Sequence, residues 1–344
     1  MKFLGRAAAL CGLAAAIWLV LREHPADVLR LMGGAGAGLV LAALAHAAPM
    51  LANAWDWRSL IRRGERPPFA SMAKLVWIRE SVNGLLPVAR IGGEVVSFRL
   101  LGRLGVRPET AVASLVADMQ LTLISQVLFA LAGAGLLLHD ARSGTLRIVG
   151  QLALAVAAAV PLLLLFALVQ HARPFERIAR LLNHVTGGKV YGLVGRSARI
   201  DQSVKLIWRQ TGVVLRYLFV WQPLQCVGTA FEIWLALYFL GHRVSVVDAF
   251  VLEALIQLIS SIAFLVPAGL GVQEGGFVLI GGLIGLDPAT SLALAGARRV
   301  RDLLIYLPGL LMWQIVEHAR DARRTGGRAR LATVASGDRG GSSG

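Results

Sequence analysis

Blocks of residues that are apolar on every side alternate with short polar stretches along most of the chain. Phe3–Leu21, Leu31–Leu51, Ala111–Leu138, Leu146–Val169, Val213–Leu240 and Ser291–Val316 are each long enough to cross a hydrocarbon layer about 30 Å thick. A helix in a soluble core needs only one apolar stripe, so all-round apolarity predicts transmembrane helices. Two further apolar regions, 70–105 and 248–286, are broken at their middle. The breaks fall at Pro87, Gly92 and Gly93 in the first and at Pro267, Gly269 and Gly271 in the second. Proline removes a helical hydrogen bond and glycine lowers helix stability, so each region predicts two half-helices forming a re-entrant hairpin.

The two broken regions align with each other, without a gap, at an offset of 180 residues. Pro87 then matches Pro267, Glu94 matches Glu274, Gly102 matches Gly282, Gly105 matches Gly285 and Pro108 matches Pro288. The expected architecture is an all-α integral membrane protein built as an inverted repeat. Each half holds three transmembrane helices and one re-entrant helical hairpin, and an odd number of crossings turns the second half over. Residues 1–140 form the first repeat with its hairpin at 70–105. Residues 141–318 form the second, with an amphipathic cytoplasmic loop at 171–210 and a hairpin at 248–286. A basic tail, 319–344, is expected to be disordered. Transporters place substrate sites where such halves and their discontinuous helices meet.

Composition agrees with a membrane protein. Of 344 residues 56% are hydrophobic and only 16% charged, against about 25% charge in soluble domains. The net charge of +15 is unevenly spread. Six basic residues lie in 52–80, nine in 171–216 and six in 317–344, against two in 22–30, two in 139–147 and one in 241–249. That asymmetry follows the positive-inside rule and contact with anionic lipid headgroups, and argues against nucleic acid as a partner. It predicts a multi-pass protein of the bacterial inner membrane with both termini cytoplasmic and the first helix retained. Cys11 and Cys226 lie in apolar segments and are read as buried thiols. No metal site or cofactor is expected, since no His/Cys cluster, Walker loop or dinucleotide fingerprint is present.

An ionisable group inside a span is costly and therefore informative. Arg90 and Glu94 in the first hairpin, Glu274 in the second, Asp118 on the span that follows the first hairpin, and Arg298, Arg299, Arg301 and Asp302 on the last span are the candidate substrate-binding residues. The two glutamates either receive a lipid headgroup or brace the hairpins by accepting freed N–H groups. Asp118 and Arg298 are related by the same offset and are expected to face each other as a structural ion pair, while Arg298 and Asp302 are four apart on one helix. Arg99 and Arg103 are read as reaching to the interface, His46 as a packed residue, and Trp55, Trp57, Trp77, Trp208, Trp221 and Trp313 mostly as interfacial anchors.

The segments Pro87-x-x-Arg90-x-Gly92-Gly93-Glu94 and Pro267-x-Gly269-x-Gly271-x-x-Glu274, in this pattern of spans, resemble the lysylphosphatidylglycerol-synthase transmembrane, or flippase-like, family over residues 1–318. Within it the Arg-Ile-Gly-Gly-Glu form is most similar to the hopanoid-biosynthesis-associated branch. The resemblance implies a lipid translocase or lipid-transport component that moves hopanoid or another polar lipid, alone or with lipid-synthesis or export proteins, and is not an enzyme. Two other classes stay open: a membrane-embedded lipid-modifying enzyme using Glu94 or Glu274 as base, and a non-transporting scaffold for lipid-synthesis enzymes.

Overall fold

The computed structural model describes residues 25–86, 92–140, 150, 191–262 and 271–337, and every regular element among them is helical. The apolar blocks Phe3–Leu21 and 151–169, most of the 171–210 loop, and Pro87, Arg90, Pro267 and Gly269 lie outside the described residues.

The second apolar block is three helices rather than one: α1 (Pro25–Ala35), α2 (Ala37–Ala45) and α3 (Ala47–Leu60). The chain breaks at Gly36 and at His46, and α3 continues past Leu51 because Trp57, Leu60 and Ile61 bury there. After a 3-10 turn at Arg63–Glu65 come α4 (Phe69–Leu85), α5 (Gly92–Arg103) and α6 (Pro108–Asp140). Next is α7 (Tyr191–Arg209), which packs on α6 through Val204 and Ile207 and exposes Arg199, Leu206 and Arg209 on its other side. A short α8 (Thr211–Arg216) runs through a π-helical turn (Tyr217–Trp221) into α9 (Gln222–Phe239). The chain closes with α10 (Val246–Ile262), α11 (Val272–Leu283) and α12 (Pro288–Gly337). Helix α12 runs to Gly337, into the segment read from the sequence as a basic tail.

Helix bounds recur at the spacing read from the sequence. Adding 180 to Gly92–Arg103 gives the bounds of α11, and adding it to Pro108 gives the start of α12. The turns leading into α6 and α12 match in conformation. Gly105 and Gly285 have φ of 85° and 87°, a left-handed backbone that closes the preceding helix and favours glycine. Val106 N–H donates to Leu101 O at 3.1 Å, and Leu286 N–H donates to Gly281 O at 2.9 Å. Pro108 and Pro288 then open the next helix, where a missing N–H costs nothing.

Two apolar cores result. One gathers Trp57, Met72, Leu75, Leu101, Leu121 and Tyr217; the other gathers Leu237, Leu252, Leu255, Ile256, Phe277 and Ile280. The long helices link them. The second half of α6 enters the second core through Val127, Ala130 and Leu137, while Leu310, Trp313 and Val316 of α12 pack on the first.

α12 is inside-out by the standards of a soluble protein. Leu304, Leu307, Leu311 and Ile315 are exposed along one face, Ile315 by 63%, while Arg301 and Asp302 are buried on the other. Water would reward the opposite arrangement; hydrocarbon rewards this one. Ala37–Leu60 and Pro108–His139 are long and apolar enough to span a bilayer, with mean hydropathies of 1.5 and 2.1.

Candidate functional site: two buried charge clusters

The first cluster joins α3, α4 and α6. Buried Arg79 donates from Nη1 to Asp118 Oδ2 at 2.7 Å and from Nη2 to Asn53 Oδ1 at 2.9 Å. Its guanidinium lies 4.5 Å from the centroid of the Trp57 ring. The other Asp118 oxygen accepts from the Tyr217 hydroxyl at 2.7 Å, so the π-helical turn is tied to α6. Asp56, fully buried, accepts through Oδ2 from Gln222 at 3.1 Å and from Gln225, and its Oδ1 has no hydrogen-bond partner. Asn83 fixes the start of α5 by accepting the Gly93 N–H at 2.9 Å, one of the donors a helix leaves open at its N-terminus. That contact brings Glu94 beside Asn83 Nδ2 at 3.5 Å and within electrostatic reach of Arg79.

The second cluster is organised by three arginines of α12. Helical rotation of about 100° per residue aims them at different neighbours. Arg298 donates to Glu253 of α10 at 2.5 Å and lies over the Phe277 ring at 5.5 Å. Arg299 donates to Glu274 of α11 at 2.8 and 3.1 Å. Arg301 donates to Glu232 of α9 at 3.0 Å and to its neighbour Asp302 at 2.5 Å. Glu274 also accepts the Gly271 N–H at 2.7 Å, which closes the start of α11. His46, at the junction of α2 and α3, places Nδ1 2.7 Å from Glu232 and Nε2 3.2 Å from the Tyr306 hydroxyl. A cavity of about 10 Å³, room for roughly one water, lies between this cluster and Leu39, Ile233 and Phe277. Among the described residues no three His, Cys, Asp or Glu side chains group to hold a metal ion.

A family model described as the lysylphosphatidylglycerol synthase TM region matches residues 5–309. The chain belongs to that family. No curated protein and no solved structure matches it. Membership and the inside-out α12 make it a membrane protein, and both charge clusters fall inside the matched region.

For this lysylphosphatidylglycerol synthase TM-region protein, the sequence-predicted residues separate into three groups. Arg298, Arg299, Arg301, Asp302 and Glu274 come together as one cluster. Asp118 and Glu94 belong to the other, and Arg90 lies outside the described residues. The expected pairing of Asp118 with Arg298 is replaced by Asp118 with Arg79 and Arg298 with Glu253. Each charge finds an opposite charge on a helix of its own region, which leaves nothing to attract the two across the molecule. Asp302 likewise pairs with Arg301, and with Arg299 at 3.8 Å, rather than with Arg298. Arg103 pairs with Glu317 at 2.6 Å. Trp57 is fully buried, and Trp77 donates to Ile305 O at 2.7 Å, so neither is a simple interfacial anchor.

Arg79, Asp56, Glu232 and Tyr306 were not singled out. Arg79 was counted with the basic 52–80 loop, although it follows Leu75-Val76-Trp77-Ile78 within an apolar run. Glu232, alone between Phe231 and Ile233 in a long apolar block, carried the clearer signal.

Proposed function

We propose that this protein is a lipid translocase, or the translocating component of a lipid-transport system, and that the α12 cluster meets the lipid headgroup. The observation that carries this reading is the set of three arginines on one helix, each held by a carboxylate from a different helix, inside a membrane protein of this family. Such pairs present donors and acceptors that a phosphate or hydroxyl headgroup can exchange with one at a time, while the acyl or ring portion stays in hydrocarbon. The cavity holds only about one water, so a headgroup enters only when helices part. A hopanoid is the first lipid to try and a phospholipid the second. Movement between leaflets needs no covalent step, so no enzymatic activity is part of this proposal.

The architecture we infer is the inverted repeat, with α4–α5 and α10–α11 as re-entrant hairpins in the bacterial inner membrane. Matching helix bounds support it. So do the contacts that close each hairpin's flanks: Glu65 with Arg107 at 2.9 Å for the first, and His242 with Thr290 at 2.8 Å for the second. Arg199–Glu109 and Arg103–Glu317 gather basic segments at the end of the molecule where the first hairpin opens, which fits a cytoplasmic face. Cysteine labelling from outside is expected at 139–145 and 241–247 only. Labelling of residue 190 from outside overturns the topology.

Reconstituted vesicles test the function. Wild-type protein is expected to move a fluorescent hopanoid or phospholipid analogue between leaflets, and the Glu94→Gln, Glu274→Gln double variant to insert but lose most of that movement. Full movement by the double variant removes both glutamates from the path. No movement of any lipid by wild type defeats the proposal.

A further inference from the structure

The α12 cluster does not balance electrically with its fixed charges alone. Arg298 and Arg299 are matched by Glu253 and Glu274. Asp302 is shared between Arg301 at 2.5 Å and Arg299 at 3.8 Å, so among the described residues four carboxylates meet three guanidiniums, with the Arg301, Glu232 and Asp302 side chains exposed by only 9%, 6% and 12%. Buried charge without a counter-charge is strongly disfavoured. Among the described residues the His46 imidazole is well placed to carry a further positive charge, 10% exposed at its side chain and 2.7 Å from Glu232.

We propose that His46 is a proton-binding site at this cluster, and that its loading and release bias the ion pairs of α12 that receive the lipid. The inference rests on the translocase reading for its consequence, though not for the site itself.

Hydrogen-bond direction supports it. Ionised Glu232 can only accept, so the proton on the 2.7 Å contact sits on His46 Nδ1. The other nitrogen, Nε2, faces a tyrosine hydroxyl at 3.2 Å, a group that both donates and accepts. In the neutral ring, Nε2 accepts from Tyr306. When a proton binds, Nε2–H donates to Tyr306 instead, and the ring gains one positive charge. Both states keep both contacts, so a proton enters or leaves without dismantling the site. Its source and destination are water, and the room for one molecule lies against Glu232, Arg298 and Arg301 rather than against the ring itself.

The groups packed around the ring act on it in both senses: Glu232 favours a charge on it, while Arg301 Nη1, 3.4 Å from Nδ1, opposes one. Glu232 comes from α9, and Arg301, Asp302 and Tyr306 from α12, while Arg298 acts on Glu232 from one turn earlier on α12. Glu80 of α4 lies within electrostatic reach of Tyr306. With His46 neutral, Glu232 depends on Arg301 and Arg298 alone and competes for them with Asp302 and Glu253. With His46 charged, that competition relaxes and Arg298 is freer to leave Glu253 for a headgroup oxygen.

Two readouts on the full-length protein test this. The first is nitrogen NMR of histidine-labelled protein in lipid nanodiscs. The His46 signals are identified by their loss in His46→Gln and, should that variant fold poorly, by their displacement in Tyr306→Phe. Acidifying the sample is expected to convert the neutral Nδ1–H form to the doubly protonated form. One protonation state at every pH at which the protein stays folded overturns the proposal. The second is lipid movement in vesicles with equal or unequal pH on the two sides. A difference of one pH unit is expected to change the wild-type rate up to about tenfold, and to have no effect on His46→Gln. If wild type moves lipid and ignores the gradient, the coupling is overturned while the translocase reading stands. If no lipid moves but the His46 signals titrate, the proton site stands and the translocase reading fails.

Discussion

The region around Arg79 and the region around Arg301 are built on helices with matching bounds, yet they use charge in opposite ways. Around Arg79 one guanidinium is shared out. It binds Asp118 and Asn53, stacks on Trp57, and leaves an oxygen of Asp56 without a partner. Around Arg301 three guanidiniums from one helix each reach a different helix. At the 180-residue spacing Glu94 matches Glu274 in sign, whereas Asp118 falls against Arg298 and Arg107 against Asp287 with the sign reversed. The Arg79 side is thus tied within itself, while the α12 side spreads its cations over three helices. Asp118 is fastened by two short bonds from two different elements, whereas Arg298 lies at the edge of a cavity.

The largest expected effect tests that contrast directly. Removing one partner of a buried pair typically costs about 3–5 kcal/mol. Asp118→Ala should fall in that range, because it takes the nearest carboxylate from Arg79 and from the Tyr217 hydroxyl, which keeps Thr122; Glu253→Ala should cost less, because Arg298 keeps Phe277 and the adjoining space. Thermal unfolding in detergent measures both. Exchanging the charges at 79 and 118 should recover part of the loss, whereas exchanging those at 118 and 298 should recover none. Rescue by the second exchange would restore the cross-molecule pair that the structure replaces.

That mistaken pair marks where sequence reasoning stops. Apolar blocks, the Pro- and Gly-containing breaks and the 180-residue spacing are local or periodic signals, and the starts of α5, α6, α11 and α12 recur at that spacing. Partner choice is a tertiary property. Asp118 and Arg298 were matched because they are equivalent in sequence, but equivalence says nothing about distance. Arg79 is one of six basic residues in 52–80, and nothing in that local grouping marks its burial against Trp57. Only Glu232 was legible and overlooked, as a lone acid in an apolar block whose partners, His46 and Arg301, lie far away in sequence. Glu94 and Glu274 share the 180-residue spacing, and each lies in the first turn of its helix. Their surroundings, set by Asn83 in one case and Arg299 in the other, were not foreseeable.

Those surroundings carry the second prediction. Glu274→Gln keeps an oxygen for the Gly271 N–H but loses the charge that binds Arg299. A hydrogen bond to a charged group contributes about 1.5–3 kcal/mol, so a loss within that range is expected in the same unfolding assay. Glu94→Gln should cost under about 1 kcal/mol, since its nearest described partner is an amide at 3.5 Å. Equal losses would mean that the two carboxylates are held alike, against the geometry.

Gly93 offers a third contrast, of packing rather than charge. A Cβ there would stand 2.6 Å from the Arg79 carbonyl oxygen and equally close to the Asn83 amide. The backbone oxygen cannot move without shifting α4, so Gly93→Ala should cost about 1–3 kcal/mol and loosen the Arg79 cluster. The matching position in the other region is Gln273, which reaches Ser260 at 3.3 Å, so a side chain is accommodated there. Gln273→Ala is expected to stay within about 0.5 kcal/mol of wild type. An indifferent Gly93→Ala would show that α5 does not depend on its close approach to α4.

The smallest effects lie where α6 and α12 begin, and there the two regions solve one problem with different chemistry. Asp287 caps α12: its carboxylate accepts the Thr290 N–H at 2.9 Å and the Thr290 hydroxyl at 2.6 Å. The matching residue, Arg107, cannot cap α6. Its own N–H is instead taken by Glu65 at 3.0 Å, with an ion pair at 2.9 Å. Losing a cap costs about 1 kcal/mol, the expected result of Asp287→Ala. The exposed Arg107 side chain contributes less, so Arg107→Ala should fall within about 0.5 kcal/mol and shrink further in salt. Acid separates the two ends again. Burial pushes the Asp287 carboxyl up, but the two Thr290 bonds outweigh it and hold it below its ordinary value. Its stabilising effect is therefore complete above the ordinary Asp range near about 3.9 and is lost as pH falls through the lower, folded-state value. Hydrogen exchange at the first turn of α12 should accelerate in that acid window in wild type and show no such step in Asp287→Ala. An unchanged step in the variant would place the titrating group elsewhere.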